Sequence, residues 1–189
     1  MNAEEFYKTF RKHFSPERNQ KVREVYNETE VGPTEWTNLM VSVLEIVASE
    51  KGFSREKEVP IASGRVDEKW KKGTISVFIE HENNGNAEDL MNKEVRNLLN
   101  SDGDLRILIT YFDEKQAEEQ DRLKSGILDK LISEKRGRNF EFLLVIGKNE
   151  MLSPDDWKGY LYRPTFECEP IVTEAEEKEF HKGCGATHH

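Results

Sequence analysis

Apolar residues along this chain follow two periods, and the switches between them mark the elements. Phe6, Phe10 and Phe14 recur at every fourth position with Tyr7 beside them, so residues 3–14 predict a helix with one aromatic stripe. Ser15-Pro16-Glu17 reads as a second helix start, with Ser as cap and Pro in the first turn, carrying Val22, Val25 and Tyr26. Gly32-Pro33-Thr34 opens a third helix over residues 34–50. Its apolar positions Trp36, Leu39, Met40, Val43, Leu44, Ile46 and Val47 gather into one arc on a wheel of about 100° per residue, with Glu35 at the edge of that arc. Gly52 ends it.

From Phe53 the pattern becomes extended. Phe53–Ile61, Arg65–Lys71 and Ile75–Ile79 are short strand-like runs joined by turns at Ser63-Gly64 and Gly73, which predicts an antiparallel meander; Pro60 puts the first run at a sheet edge. Asn86 caps the next helix, whose stripe is Leu90, Met91, Val95, Leu98 and Leu99. LRILITYF, 105–112, is an unbroken apolar run suited to the middle of a parallel sheet. Residues 113–136 predict a long helix with Leu123, Ile127, Leu131 and Ile132 inward, FEFLLVI at 140–146 another buried strand, and WKGYLY at 157–162 an edge strand. Strand–helix–strand units cross over right-handedly and give parallel neighbours. The expected fold is therefore α/β: a mixed central sheet, made of a three-strand antiparallel meander plus parallel strands, flanked by helices on both faces. Residues 1–32 form an N-terminal helical extension packed on the core, 33–165 the core, and 166–189 a tail, partly disordered.

The strand Ile75–Ile79 runs into Glu80-His81-Glu82. Side chains alternate across a strand, so both glutamates point to one face and the His81 imidazole to the other. Paired acids at the end of an apolar strand either run out into solvent or need neutralising, and a divalent cation with oxygen ligands is the simplest neutraliser. Asp67 is an acid on the preceding extended segment. Glu35 either joins them from its helix or complements the positive end of the helix dipole. Lys69, Lys71 and Lys72 flank Trp70 on the hairpin; they read either as phosphate contacts with a base-stacking Trp, or as an ordinary charged hairpin with Trp70 partly buried. Lys93 and Arg96 reach for a phosphate or line a solvated helix face.

Composition trims these options. At 189 residues, with 35 % hydrophobic and 34 % charged content, the chain fits one domain with a real core. A net charge of −9 argues against a surface that grips nucleic acid all over, though not against a local basic groove. Cys168 and Cys184 lie too far apart for a disulfide framework. No run approaches a membrane span and Met1–Phe10 lacks a signal-peptide layout, so a cytoplasmic protein with no membrane partner is expected. Cys168, His181, Cys184, His188 and His189 match no compact zinc-finger spacing, and the last two have the look of an added tag. The acids at Ser101–Asp104 make a plain turn rather than a calcium loop. A homodimer stays open.

The element order, with Asp67 on the second strand and Glu80-His81-Glu82 on the third, resembles the restriction-endonuclease-like, or PD-(D/E)XK, nuclease superfamily over residues 34–147. The match is to the acid-x-acid variant: Glu82 stands where most members carry Lys, and Arg65-Val66 precede the first acid in place of Pro. The resemblance implies a Mg²⁺- or Mn²⁺-dependent nuclease, with DNA ahead of RNA as substrate. Asp67, Glu80, Glu82 and the backbone carbonyl of His81 would be metal ligands, and Glu35 the helix acid. The reading set against it is a catalytically silent member of the same fold that serves as a binding or assembly module.

Overall fold

The structure, a computed structural model, describes residues 1–14, 33–83, 85–112, 114–133, 140–148, 154–163 and 168–171, with the side chains of 33–36, 114, 168 and 169 excepted. The expected second helix and the Cys/His run after residue 171 lie outside these.

Helix α1 (Ala3–Lys12) starts because the Asn2 side chain accepts a hydrogen bond from the Glu5 amide at 2.8 Å, with Glu4 and Glu5 in the first turn and Arg11 and Lys12 in the last. Helix α2 (Pro33–Lys51) closes with the Phe53 amide on the Ala48 carbonyl. The chain then builds the meander β1 (Ser54–Ile61), β2 (Gly64–Lys72) and β3 (Ile75–Glu82). A helical stretch follows in three pieces: α3 (Ala87–Leu90), a single π turn (Met91–Val95) and α4 (Arg96–Asn100). Strand β4 (Leu105–Phe112), helix α5 (Ala117–Ser133), β5 (Glu141–Lys148), β6 (Trp157–Tyr162) and β7 (Cys168–Pro170) complete the order.

All seven strands form one sheet in chain order, β1 to β7. The pairs β1–β2, β2–β3, β5–β6 and β6–β7 are antiparallel, and β3–β4 and β4–β5 are parallel. The mixed α/β sheet flanked on both faces is thus present. The edges differ from expectation: β6 is an inner strand, because β7 adds a strand inside the stretch expected as tail.

Each face has its own core. On one, α1 and α2 pack on Trp70, Val77, Ile79, Ile107, Ile109, Val145 and Trp157. On the other, α3, α4 and α5 pack on Phe78, Leu108, Phe112, Leu144 and Ile146. Phe6, Phe10 and Phe14 are all but fully buried; Phe6 meets Trp70, and Phe10 and Phe14 meet Trp157. At about 2 kcal/mol for each large apolar side chain, that stripe alone explains why α1 stays docked. Two inward assignments fail. Ile46 is 44 % and Ile132 46 % exposed, because each helix buries a narrower arc, centred in α2 on Met40, Val43, Leu44, Val47 and Ala48. No helix among the described residues is long and apolar enough to cross a membrane.

Candidate active site

The β2–β3 ladder runs from Lys72 opposite Ile75 to Glu68 opposite Ile79 and then stops. At the next position, side chains replace the missing backbone bonds. The Asp67 amide donates to Glu80 Oε2 at 3.2 Å, and the His81 amide donates to Asp67 Oδ2 at 2.9 Å. The β1–β2 ladder is interrupted at the same level. Lys57 pairs with Glu68 and Val59 with Val66, but Glu58, between them, adopts φ 55°, a conformation costing a non-glycine residue about 1–2 kcal/mol. Asp67 therefore sits where the sheet opens toward both of its neighbours. Its carboxylate and that of Glu80 lie on the face covered by α3, the π turn and α4.

That cover adds polar groups. Asn97 of α4 donates through Nδ2 to Glu80 Oε1 at 3.3 Å and to the Arg65 carbonyl at 3.0 Å. The π turn delivers Lys93 and Glu94; Lys93 Nζ is 2.7 Å from Glu94 and 4.0 Å from Glu82. Burial grades outward. Glu80 is 2 % and Glu94 5 % exposed, while the side chains of Glu82 and Lys93 are 33 % and 69 % exposed. The cluster thus runs from the sheet interior to solvent.

Its electrostatics follow from that burial. Loss of water pushes the Glu80 carboxyl up to about 9, helped by the charges of Asp67 and Glu94 and partly offset by the bonds from Asn97 and the Asp67 amide. Burial likewise raises Asp67 to about 6; the His81 amide opposes this, and Glu94, Glu58 and Glu82 add to it. Lys93 is raised, first by its bond to Glu94.

A control lies one residue away. Glu68, 3 % exposed, points to the opposite face, where the Arg55 guanidinium grips both its oxygens and Trp70 Nε1 donates to it at 2.6 Å. A buried structural acid in this sheet is therefore matched by an arginine. Among the described residues no such ion pair meets Asp67 or Glu80, which are held by amide donors alone.

The other expected residues are spread more widely. The His81 imidazole faces away from the acids, as the alternation requires; Tyr111 Oη lies 2.6 Å from its Nε2, and burial lowers its pKa to about 4. Lys69 lies over the Phe78 ring, 4.7 Å from its centre, and 3.9 Å from Asp102. Lys72 turns to the other face and donates to the Lys51 carbonyl at 2.7 Å, while Lys71 and Arg96 are exposed. Trp70 is fully buried against Phe6 and Phe53, so it offers no surface for base stacking. The Glu35 side chain falls outside the described residues, although its helix is tied to the end of β3 by a 3.2 Å bond from Asn83 Nδ2 to Thr37 Oγ1.

Glu94 and Asn97 are the members that the sequence reading missed. Glu94 left a trace in the sequence, though a regular helix gives it no role. Glu94 is four residues from Leu90 and four from Leu98, an acid on an apolar stripe, and Leu90 and Val95 are both buried at a five-residue spacing that an α-helix does not favour. Among the described residues, no group of three or more His, Cys, Asp or Glu side chains is arranged to hold a metal ion. What the site presents is a close pair, Asp67 and Glu80, with Glu82, Glu94 and Glu58 acting on it through their charges. The chain matches no protein-family profile and no curated protein at a significant level.

Proposed function

We propose that the protein is a divalent-metal-dependent phosphodiesterase acting on nucleic acid, DNA ahead of RNA, in the manner of the restriction-endonuclease-like superfamily it resembles. One observation carries this reading: the buried Glu80 carboxylate and the half-buried Asp67 carboxylate meet where the sheet ladder opens, and among the described residues neither has an ion-pair partner, while the neighbouring Glu68 has its arginine. Uncompensated carboxylates in a partly desolvated site are expensive and mark functional positions more often than structural ones.

The donor chemistry fits a Mg²⁺ or Mn²⁺ ion. Such ions take one or two carboxylates and keep several waters, so Asp67 and Glu80, with the His81 carbonyl as a third oxygen, suffice without a closed cage. When bound, the ion supplies an activated water and neutralises the departing oxygen. The chain's own groups do the rest. The His81 amide and Asn97 hold the two carboxylates in place. Glu82, at the solvent end, orients or receives a proton. Lys93, bridging Glu82 and Glu94 and largely exposed, is the cation best placed to meet a phosphate. Glu35, the helix acid that the resemblance implies, would be a supporting acid from α2.

A silent binding module on the same fold is the second reading. It is favoured by the loss of Lys69 and Lys72 to internal contacts and by the net charge of −9. Calorimetric titration of Mn²⁺ or Mg²⁺ into the wild type and Glu80→Ala separates the two. The enzyme reading expects binding to the wild type and its loss in the variant; no heat with either protein ends it. Cleavage of pooled DNA and RNA then distinguishes an active site from a metal-holding scaffold.

A further inference from the structure

We infer that Asn97 is the positioning residue of this site, a role resting on the phosphodiesterase reading above. It is 4 % exposed, and both its nitrogen and its oxygen are engaged. Nδ2 donates to Glu80 Oε1 and to the Arg65 carbonyl, while Oδ1 accepts from Ser63 Oγ at 3.2 Å. One side chain thus binds three segments: the end of β3, the start of β2 and the β1–β2 turn. An amide is the one common side chain of this size that donates to a carboxylate and a carbonyl while accepting from a hydroxyl. Aspartate in its place would set another carboxylate against Glu80.

The backbone is shaped to admit it. Gly64, at φ 151°, presents no side chain where a Cβ would stand 3.3 Å from Asn97 Oδ1. The π turn adds one residue of rotation just before α4, and this sets the angle at which Asn97 enters. The consequence is directional. With Oε1 taken by Asn97 and Oε2 by the Asp67 amide, the Glu80 carboxyl plane is fixed before any ion arrives, and a cation meets a pre-set ligand rather than a mobile one.

The test uses the full chain and Mn²⁺ alone. Asn97→Ala should weaken Mn²⁺ binding about tenfold or more at unchanged secondary structure, as removal of an outer-shell partner does. Ser63→Ala, which removes a bond on the far side of the same amide, should stay within about twofold. A well-folded Asn97→Ala that binds Mn²⁺ like the wild type overturns the assignment, as does an equal loss in Ser63→Ala. The metal-free protein gives an independent reading, which also serves if Asn97→Ala fails to fold. The side-chain NH₂ resonances of Asn97 should move on Glu80→Ala and hold still on Glu82→Ala. If they ignore Glu80, the assignment falls even where Mn²⁺ binds; if they respond but the wild type binds no metal, the phosphodiesterase reading falls and the Asn97–Glu80 contact stands.

Discussion

Glu80→Gln isolates the energetics of the carboxylate pair. In the folded, ion-free protein the Glu80 carboxyl is pushed from an ordinary 4.5 to about 9, so at neutral pH it holds a proton that the unfolded chain has lost. A raised acid contributes fully to stability below its unfolded value and progressively withdraws that contribution as pH rises toward its folded value. At pH 7 the withdrawn amount is about 3 kcal/mol. Glutamine removes this pH-dependent penalty. It introduces another: both Glu80 oxygens accept hydrogen bonds, from the Asp67 amide and from Asn97, and an amide NH₂ must now face one of these donors, at about 1–2 kcal/mol. The net at pH 7 is a gain of about 1–2 kcal/mol, or a melting temperature about 3–6 °C higher for a chain of this size. Thermal melts in EDTA between about pH 5 and 8.5 check it. Near pH 5 the gain should vanish or reverse, because the withdrawn amount has then fallen to about 1 kcal/mol, no more than the amide's hydrogen-bonding penalty. Asp67, raised from 3.8 to about 6, adds slope of the same sign at lower pH in both proteins. A variant offset from the wild type by the same amount at every pH would refute the argument, and so would a variant that is the less stable protein at pH 8.5.

Mn²⁺ should raise the wild-type melting temperature reversibly with EDTA, by about 2–3 kcal/mol of stabilisation at a hundredfold excess over Kd, and should do so at lower concentrations as pH rises; Asp67→Asn should lose the effect. Tyr111→Phe strands the buried His81 ring and should cost about 1–3 kcal/mol by urea denaturation. Arg55→Met leaves Glu68 buried and unpaired, at about 3–5 kcal/mol, and Arg55→Met with Glu68→Leu should recover most of that; equal losses in the single and double variants would contradict it. Gly159→Ala drives a Cβ to 2.9 Å from the Tyr7 ring and should destabilise by about 1–3 kcal/mol in the same assay.

The layout was legible because it rests on local rules. Turns at Ser63-Gly64 and Gly73, a capping Asn86 and the apolar run 105–112 each constrain a few neighbouring residues, and their sum sets the order of elements. The face carrying Glu80 followed from strand alternation alone. What escaped depends on register. Nothing near Glu68 in the sequence says that Arg55 reaches it across β1–β2 while Asp67, one residue earlier, has no ion pair among the described residues. Ile46 and Ile132 were misplaced for a related reason: helical periodicity locates an arc but not its width, which the partner surface decides. Glu94 and Asn97 were hidden because a regular helix was assumed where the chain makes a π turn.

Because the strands lie side by side in chain order, each one can pair with its predecessor across a single hairpin loop or one helix-bearing crossover. Helix α1 is the exception. It precedes the sheet in the chain, yet its Ala3 amide is held by Glu141 and its Tyr7 hydroxyl by the Trp157 carbonyl, partners 138 and 150 residues away. Phe6 can meet Trp70 of β2 early, but Phe10 and Phe14 must wait for Trp157 of β6 before their ring partner exists. Chaperone demand and misfolding risk in this protein should concentrate on α1 rather than on the sheet.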